Sequence, residues 1–288
     1  MRASVVVASF SGEAALRSCL DSLERQHGDA EVIVSAAAEP DALVNLRSSY
    51  AWAEFVPAAP ATTVFQLRAR GLARARGDIA VLLEDHCRVG EGWLEALLGA
   101  VERGRGFAGG PVESGADAAL ADFAQYLVEY GALMPPVADA GALLAVNAAY
   151  DRRALQSCAA VWAEGFHDNE VHDALRAAGQ VPRVVAGATV RSHLRWPLPL
   201  AMAHLFLGGA RFGSYRRRQW GPAERVLRIL AAPMVPAVLM ARLASRLAGR
   251  RPRALPRFAL ALPSVVCLVA SWCAGELAGY VRPSAGAR

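Results

Sequence analysis

Three consecutive side chains that can bind a metal ion follow a short apolar run at residues 79–83, Ile-Ala-Val-Leu-Leu. The run has no polar alternation, so it predicts a strand that is buried on both faces. Glu84, Asp85 and His86 would then stand at the carboxyl end of this strand, where open α/β sheets bind their ligands. Carboxylate oxygens and an imidazole nitrogen could hold a divalent cation there, and the cation could hold a diphosphate. The alternative is a polar turn in which Asp85 caps the next helix.

Apolar runs and helical patterns alternate through the first third of the chain. Strands are predicted at residues 5–9, 31–35, 54–57 and 79–83, and helices at 13–26, at 65–75 and from about residue 93. This order is typical of a mostly parallel sheet flanked by crossover helices. The predicted fold class is therefore α/β.

The pattern changes after residue 104. We expect a loop and an edge strand at 104–110, a helix at 120–133, a strand at 141–147 and the start of a helix at 152–155. A polar loop at 163–169 leads into a predicted helix at 170–178, and a last strand is predicted at 184–190. The first domain is therefore expected to cover residues 1–195.

Charge divides the 288 residues into two parts. Residues 1–190 hold 15 Arg against 24 Asp and Glu, whereas residues 191–288 hold 16 Arg against Glu224 and Glu276 alone. A basic segment can bind nucleic acid or an anionic membrane surface. Here long apolar stretches separate the Arg residues and few aromatic side chains lie beside them, which favours a membrane and argues against nucleic acid. Residues 196–288 are therefore predicted to form a basic, apolar, helical membrane-associated region.

Two apolar stretches of this region differ in length. Residues 229–241 are short for a bilayer and contain Pro233 and Pro236, whereas residues 258–281 approach spanning length. Six Arg residues lie at 242–257. If both stretches crossed, these Arg residues would face outside, against the positive-inside bias. We expect the first stretch to lie in the interface and the second to insert as a transmembrane helix.

The five cysteines are scattered and form no C-x-x-C pair, which indicates a reducing compartment. The N-terminal residues lack the long apolar region and the cleavage site of a signal peptide, and they fit a first buried strand better. The expected location is therefore the cytoplasmic face of the cell membrane. The residues do not indicate an oligomeric state.

Five sequence blocks, taken in order, resemble those of the family 2 glycosyltransferases over residues 3–195. They read VVVASFSGEAALRSCLDSLERQ, LRARGLARARGDIAVLLEDHCRVGEGWLEAL, GGPV, NAAYDRRAL and EGFHDNEVHDALRAAG. The resemblance implies the A-type nucleotide-diphospho-sugar transferase fold. It also implies that a sugar passes from a nucleoside-diphosphate sugar donor to a sugar or lipid-linked acceptor, with inversion at the sugar carbon.

The same resemblance assigns a metal site to the acidic cluster. Glu84 and His86 occupy the outer positions of the family's Asp-x-Asp motif, with Asp85 between them. His193 stands where many members have a His near the metal or the diphosphate. His86 replaces a carboxylate, and a neutral imidazole is a better ligand for Mn²⁺ than for Mg²⁺. We therefore predict a divalent metal cofactor, with Mn²⁺ preferred over Mg²⁺.

Asp168 matches the Asp of the family's Glu-Asp pair, in which His167 replaces the Glu. The resemblance implies that Asp168 is the base that takes the proton of the acceptor hydroxyl, and Glu170 is the second candidate. The alternative is that Asp168 only caps the helix at 170–178.

Four residues are predicted to bind the donor: Ser9, Glu39, Arg68 and Asp85. Arg68 matches the Arg of the family's Ala-Arg-Asn-x-Gly block, and its guanidinium group could pair with phosphate. The family usually ends its second strand with a carboxylate that reads the nucleotide base, whereas this chain has Ala36 and Ala37. Glu39 or Asp41 could substitute from the following loop, so the identity of the base stays open.

The predicted function is a metal-dependent, inverting glycosyltransferase at the membrane. A nucleotidyltransferase of related fold is the enzymatic alternative, and it would release pyrophosphate instead of a nucleoside diphosphate. A degenerate, non-catalytic membrane scaffold is the other alternative, because His86, His167 and the missing base-reading carboxylate depart from the family pattern.

Overall fold

The structure, a computed structural model, describes residues 3–104, 106–137, 141 and 143–282. The strands are β1 Ala3–Ser9, β2 Glu31–Ala37, β3 Ala53–Ala58, β4 Ile79–Glu84, β5 Cys87–Val89, β6 Gly106–Gly109, β7 Val112–Ser114, β8 Asn147–Asp151, β9 Val181–Val184 and β10 Val190–Ser192. The helices are α1 Glu13–Leu23, α2 Val44–Ser49, α3 Val64–Arg74, α4 Trp93–Gly104, α5 Leu120–Tyr130, α6 Arg152–Ser157, α7 Ala159–Trp162, α8 Asp168–Ala177, α9 Leu198–Gln219, α10 Pro222–Ala231, α11 Val235–Arg250 and α12 Leu255–Val281. The chain forms two compact units, Met1–Gly115 with Leu133–His193 and Ala116–Ala132 with Leu194–Arg288.

The first unit is built on an α/β sheet. Within the described residues its strands follow the order β3-β2-β1-β4-β8-β6-β9. Strands β1 to β4 are parallel, β8 is antiparallel to both of its neighbours, and β6 and β9 are again parallel. All residues of β1 and β4 are buried, as expected for apolar strands that are covered on both faces. The predicted fold class, a mostly parallel sheet flanked by helices, is confirmed.

Close packing at Gly77 brings α3 and β4 against β1. The Gly77 amide donates to the Ser4 hydroxyl over 2.8 Å, and a side chain at position 77 would meet the backbone of Ala3 and Ser4 at 2.6–2.8 Å. The Gly-Asp pair that precedes β4 therefore has a steric role. It lets the strand that carries the acidic cluster start directly beside the first strand.

Three predicted elements are wrong in detail. The strand predicted at 141–147 begins only at Asn147 and ends at Asp151. Before it, the Ala145 amide donates to the Asp168 carboxylate instead of to a neighbouring strand. The strand at 104–110 was predicted to be an edge strand, but β6 lies between β8 and β9. The edge is β9, whose Pro182 suits an edge position.

The last predicted strand, 184–190, is divided between two sheets. β9 ends at Val184, a 3-10 turn covers Ala186–Ala188, and β10 begins at Val190 in the small sheet β5-β10-β7. The Asn147 side-chain amide donates to the Ala188 carbonyl over 2.7 Å. This buried hydrogen bond gives a partner to a carbonyl group of the turn. A sequence pattern of small apolar residues does not reveal such a turn.

The second unit is helical, and its longest helices pack in parallel. The Ser271 hydroxyl of α12 donates to the Met202 carbonyl of α9 over 2.7 Å, and Arg217 Nη1 donates to the Val281 carbonyl at the far end over 3.4 Å. Four glycines form the crossing, each facing the backbone of the opposite helix: Gly209, Gly213, Gly275 and Gly279. Their Gly-x-x-x-Gly spacing on both helices allows the backbones to approach closely.

Two helical stretches of the described residues are long and apolar enough, by length and composition, to cross a membrane. They are Pro222–Arg250, with a mean hydropathy of 1.7, and Pro252–Val281, with a mean hydropathy of 1.9. In the 18-residue apolar part of each stretch, only 11% and 28%, respectively, is buried inside the protein.

The glycine crossing predicts a position-specific loss of stability. Gly213→Ala places a methyl group against the Glu276 carbonyl, so we expect the free energy of unfolding to fall by about 1–3 kcal/mol. Gly249→Ala is the matched control, because a side chain there meets nothing within 4 Å and Ala favours a helix by up to about 1 kcal/mol. Thermal unfolding of the two variants should shift in opposite directions; equal shifts would contradict the close crossing.

Candidate active site

The acidic cluster stands at the carboxyl end of β4, beside the end of β1. Glu84 is the last residue of β4, and the Asp85 amide donates to the Ala8 carbonyl over 3.1 Å. Glu84, Asp85 and His86 are buried, with at most 4% of each residue exposed. Three ionisable side chains are thus held in a place where each needs a partner.

Asp85 binds the loop that follows β1. One of its carboxylate oxygens accepts hydrogen bonds from the Ser9 hydroxyl at 2.9 Å and from the Phe10 and Ser11 amides at 2.8 Å each. The other oxygen, Oδ1, is buried and receives no hydrogen bond from the residues that the structure describes. Burial raises the pKa of Asp85, while His86 and the bonds from Ser11 and Ser9 oppose the rise. Asp85 and Ser9, both predicted at the donor, are therefore in direct contact, and Asp85 fixes the β1–α1 loop instead of capping a helix.

Arg68 joins the metal motif to the candidate base. From α3, its Nη2 donates to Glu84 Oε1, while its Nη1 lies 3.1 Å from Asp168 Oδ2. The three side chains are only 5–14% exposed. Burial alone would lower the pKa of Arg68, but the charges of Asp168 and Glu84 raise it above its ordinary value. Both terminal nitrogens of Arg68 are engaged by carboxylates, and its Nε has no hydrogen-bond partner within the described part of the chain.

Glu84 and His86 present two donor atoms to a common point. Glu84 Oε2 lies 3.7 Å from His86 Nε2, while the other Glu84 oxygen faces Arg68. The His193 amide donates to the His86 carbonyl over 2.7 Å, so β10 brings His193 beside the motif. Across the residues that the structure describes, no three His, Cys, Asp or Glu side chains form a ready-made metal cluster. The protein alone thus offers a partial donor set.

Asp168 is the first residue of α8, where the helix dipole favours a negative charge. Its second oxygen accepts the Ala145 amide. Burial, the largest single effect, opposes ionisation, but the charge of Arg68, the neighbouring His172 and the backbone hydrogen bond from Ala145 together hold the pKa of Asp168 below its ordinary value. Glu170 is half-buried two residues further on, about 200° around the helix from Asp168. Glu39 is exposed in the loop after β2.

A buried aromatic and imidazole cluster lies behind Asp168, and the sequence analysis did not find it. His172, four residues after Asp168 on α8, shares a 2.9 Å hydrogen bond between its Nε2 and the Tyr150 hydroxyl. Its ring stacks on Phe107 at 4.6 Å between centroids, and Tyr150 meets Phe166 edge to face at 5.4 Å. The i, i+4 spacing of Asp168 and His172 was the available signal, because it places both on one helix face.

Residues 4–122 match the family model described as "Glycosyl transferase family 2". The match covers 119 of the 288 residues and places a family 2 glycosyltransferase domain in this part of the chain. The resemblance found in the sequence is confirmed, and the protein is a glycosyltransferase. The search of curated proteins finds no match.

Solved glycosyltransferase structures share the fold of the chain. One is the mannosyltransferase PcManGT from Pyrobaculum calidifontis, in complex with GDP-Man and Mn²⁺, at 16% identity and a TM-score of 0.55, over 96% of this chain and 86% of that one. Another is S. aureus TarS 1-349 in complex with UDP-GlcNAc, at 11% identity and a TM-score of 0.50, over 96% of this chain and 90% of that one. At these identities the likeness establishes the fold.

His172 makes the stability of the glycosyltransferase depend on pH. Burial, the largest effect, lowers the pKa of His172 from 6.5 to about 4. Below pH 6.5 the unfolded chain therefore binds a proton at this imidazole that the folded protein does not bind. Through this group the free energy of unfolding should fall by about 3 kcal/mol between pH 6.5 and 4. Asp168, whose pKa is lowered, loses its contribution only as the pH falls below its ordinary value of 3.8.

Denaturant unfolding across this pH range measures the effect. The Tyr150→Phe/His172→Phe double variant removes the titrating ring together with its hydrogen-bond partner and should show a correspondingly shallower loss. An unchanged slope would show that His172 is not the group responsible.

Proposed function

We propose that the protein is a metal-dependent, inverting glycosyltransferase that takes a sugar from a nucleoside-diphosphate donor. The observation that carries the proposal is the buried Glu84–Arg68–Asp168 arrangement at the carboxyl end of the sheet. One guanidinium group holds the outer carboxylate of the metal motif and the candidate base in a fixed relation. Such positioning is what a displacement reaction requires of its catalytic groups.

The donor set of Glu84 and His86 fits a divalent cation. Two converging atoms without a complete protein cage are typical of a cation that shares its coordination with substrate phosphates. His193 is the third candidate ligand, since its backbone amide donates to the His86 carbonyl. When bound, the cation would neutralise charge on the leaving nucleoside diphosphate. The mixed carboxylate and imidazole set supports a preference for Mn²⁺ over Mg²⁺, and the PcManGT structure contains Mn²⁺.

Asp168 is the proposed base. The Arg68 charge, with His172 and the Ala145 amide, lowers the pKa of Asp168 and so favours its ionised form, and an ionised carboxylate can accept the proton of the acceptor hydroxyl as the sugar carbon is attacked. Direct attack by the acceptor inverts the configuration at that carbon. In this proposal Arg68 positions two carboxylates and contributes positive charge beside the donor diphosphate.

The proposed donor is a nucleoside-diphosphate sugar, and the thermal-shift screen below identifies its nucleotide base. The two structural neighbours bind GDP-Man and UDP-GlcNAc, respectively. Here β2 ends in Ala36 and Ala37, so no carboxylate of that strand faces the base, and Glu39 in the next loop is the proposed substitute. Ser9 and Asp85 contribute by fixing the β1–α1 loop beside the donor.

The acceptor is proposed to be a sugar or lipid-linked molecule at the cytoplasmic face of the membrane. The basic, apolar segment 196–288 supports membrane attachment, because it combines 14 more Arg than acidic residues over 191–288 with exposed apolar helices. Residues 1–195 form the proposed catalytic domain.

Asp168→Asn should lower kcat by about 10²–10⁴-fold, since it removes the base but keeps the shape of the side chain. Glu170→Gln is the control and should stay within about threefold of wild type if Asp168 alone is the base. Turnover is measured as acceptor-dependent release of nucleoside diphosphate, and binding of the nucleoside diphosphate by thermal shift confirms that both variants are folded. Wild-type turnover by Asp168→Asn would exclude Asp168, and pyrophosphate as the product would indicate the nucleotidyltransferase instead.

A thermal-shift screen of nucleoside diphosphates and nucleotide sugars tests the donor and the metal together, because a ligand of the native state raises its apparent stability. We expect a shift that requires metal and that is larger with Mn²⁺ than with Mg²⁺. His86→Asp restores the family's carboxylate and should narrow the difference between the two metals. Equal shifts and equal activity with both metals in the wild type would contradict the preference, and no shift with any donor would favour the scaffold.

A further inference from the structure

The second unit exposes an apolar stripe that no described side chain covers. Along α10, the 3-10 turn Ala232–Met234 and α11 it consists of Leu227, Leu230, Met234 and Val238, which are 64%, 73%, 69% and 44% exposed. Their spacing of three or four residues places them on one face of the helical stretch. Exposed apolar stripes of this kind mark a surface that binds a protein or a membrane.

Charge favours a membrane as the partner. Residues 191–288 hold 16 Arg and two acidic residues, and α10 itself carries Arg225 and Arg228. Trp220, at the end of α9, lies between two of these cations, with Arg216 at 5.2 Å and Arg228 at 5.4 Å from its ring centroid. An apolar stripe flanked by arginines matches an anionic lipid surface.

Helix α5 fixes the side of the membrane on which the connection between α11 and α12 lies. Arg257 donates to the Ala118 carbonyl before α5 and lies 4.5 Å over the Phe123 ring, and Arg250 Nη1 donates to the Ala132 carbonyl after α5 over 3.2 Å. α5 has 11 residues, which is too short to span a bilayer. The chain enters it from residue 115 and leaves it to residue 133, so Arg250 and Arg257 lie on the same side of any bilayer as those residues.

Helix α9 imposes the second constraint. It starts five residues after His193, on that same side, and runs parallel to α12 until Arg217 meets the Val281 carbonyl. If α12 crossed a bilayer, the end of α9 would lie on the far side together with the end of α12. The chain would then have to cross back through α10 and α11 to reach the start of α12. The contacts therefore allow three crossings or none.

Three crossings are excluded by the composition of α9. Within the described residues, α9 is not among the helices apolar enough to span. Its last turn contains Arg216, Arg217 and Arg218, and a chain of consecutive charges is costly to move through hydrocarbon.

We propose that the second unit attaches the enzyme to an anionic bilayer from one side, with the α10–α11 apolar stripe in the lipid interface and without any membrane crossing. The proposal rests on the membrane attachment proposed above and specifies its form. It accounts for the Arg residues at 242–257 on the side that carries the catalytic domain, in agreement with the positive-inside bias. It also argues against the insertion of 258–281 expected from the sequence.

Vesicle flotation of the full chain tests the lipid surface. Wild type should float with vesicles of equal parts phosphatidylcholine and phosphatidylglycerol and bind phosphatidylcholine alone more weakly. Leu227→Glu/Leu230→Glu should bind about a hundredfold more weakly, since two exposed leucines lose their burial in lipid. Val44→Glu, at an apolar residue of the first unit that is 52% exposed, is the matched control and should bind as wild type.

Accessibility in sealed vesicles tests the absence of a crossing. One variant carries tags before Met1 and after Arg288, and a second carries Arg251→Cys, which a membrane-impermeant maleimide labels above the background of the native thiols. Both tags, and the thiol of the Arg251→Cys variant, should be accessible from the same side of the vesicle membrane. A C-terminal tag on the opposite side would show that α12 crosses, and labelling of position 251 from the opposite side would show a hairpin; either overturns the proposal.

Two further outcomes also decide against it. Failure of the wild type to bind either vesicle would show that the stripe does not meet lipid, and a dimer that is lost in Leu227→Glu/Leu230→Glu would assign it to a second copy. Donor binding by thermal shift is measured on the same samples. If the protein binds donor and metal but no vesicle, only the membrane attachment is contradicted. If it floats with vesicles but binds no donor, the proposed glycosyltransferase activity is contradicted instead.

Discussion

The buried guanidinium group of Arg68 is the interaction on which the site depends. It pairs with Glu84 from β4 and with Asp168 from α8, two buried carboxylates that each need a partner in this environment. Removing one partner of such a buried pair typically costs about 3–5 kcal/mol, because it leaves an uncompensated charge. The site is therefore held by electrostatics between two consecutive elements, α3 and β4, and a third, α8, whose Asp168 lies 100 residues after Arg68.

The rest of the first unit supplies the geometry that this interaction needs. Gly77 lets β4 begin against β1, the Asp85 carboxylate ties the β1–α1 loop, and the Ala145 amide reaches Asp168 from the segment before β8. Behind α8, the His172–Tyr150 hydrogen bond anchors the helix that presents Asp168 to the sheet. Each polar group has a partner from a different element, so displacement of one element would disturb several bonds.

The second unit follows a different principle. Its two longest helices meet through glycines, so their backbones contact each other closely. Large apolar side chains such as Leu247 and Leu268 are buried elsewhere in the unit, whereas Leu227, Leu230 and Met234 remain exposed. An exposed apolar stripe of this kind is favoured by an environment less polar than water.

The sequence by itself determined the order of the elements, the fold class and the family, because period and turn residues are local and the motifs lie at strand ends. It also brought Glu84, Asp85 and His86 to the carboxyl end of a buried strand. Only the tertiary structure decided that Arg68 faces two carboxylates, that 141–147 is not a strand, and that α9 and α12 run side by side in one direction. Those outcomes depend on contacts between residues 16 to 100 positions apart, and local periodicity contains no information about which charge or backbone group of another element will be the partner.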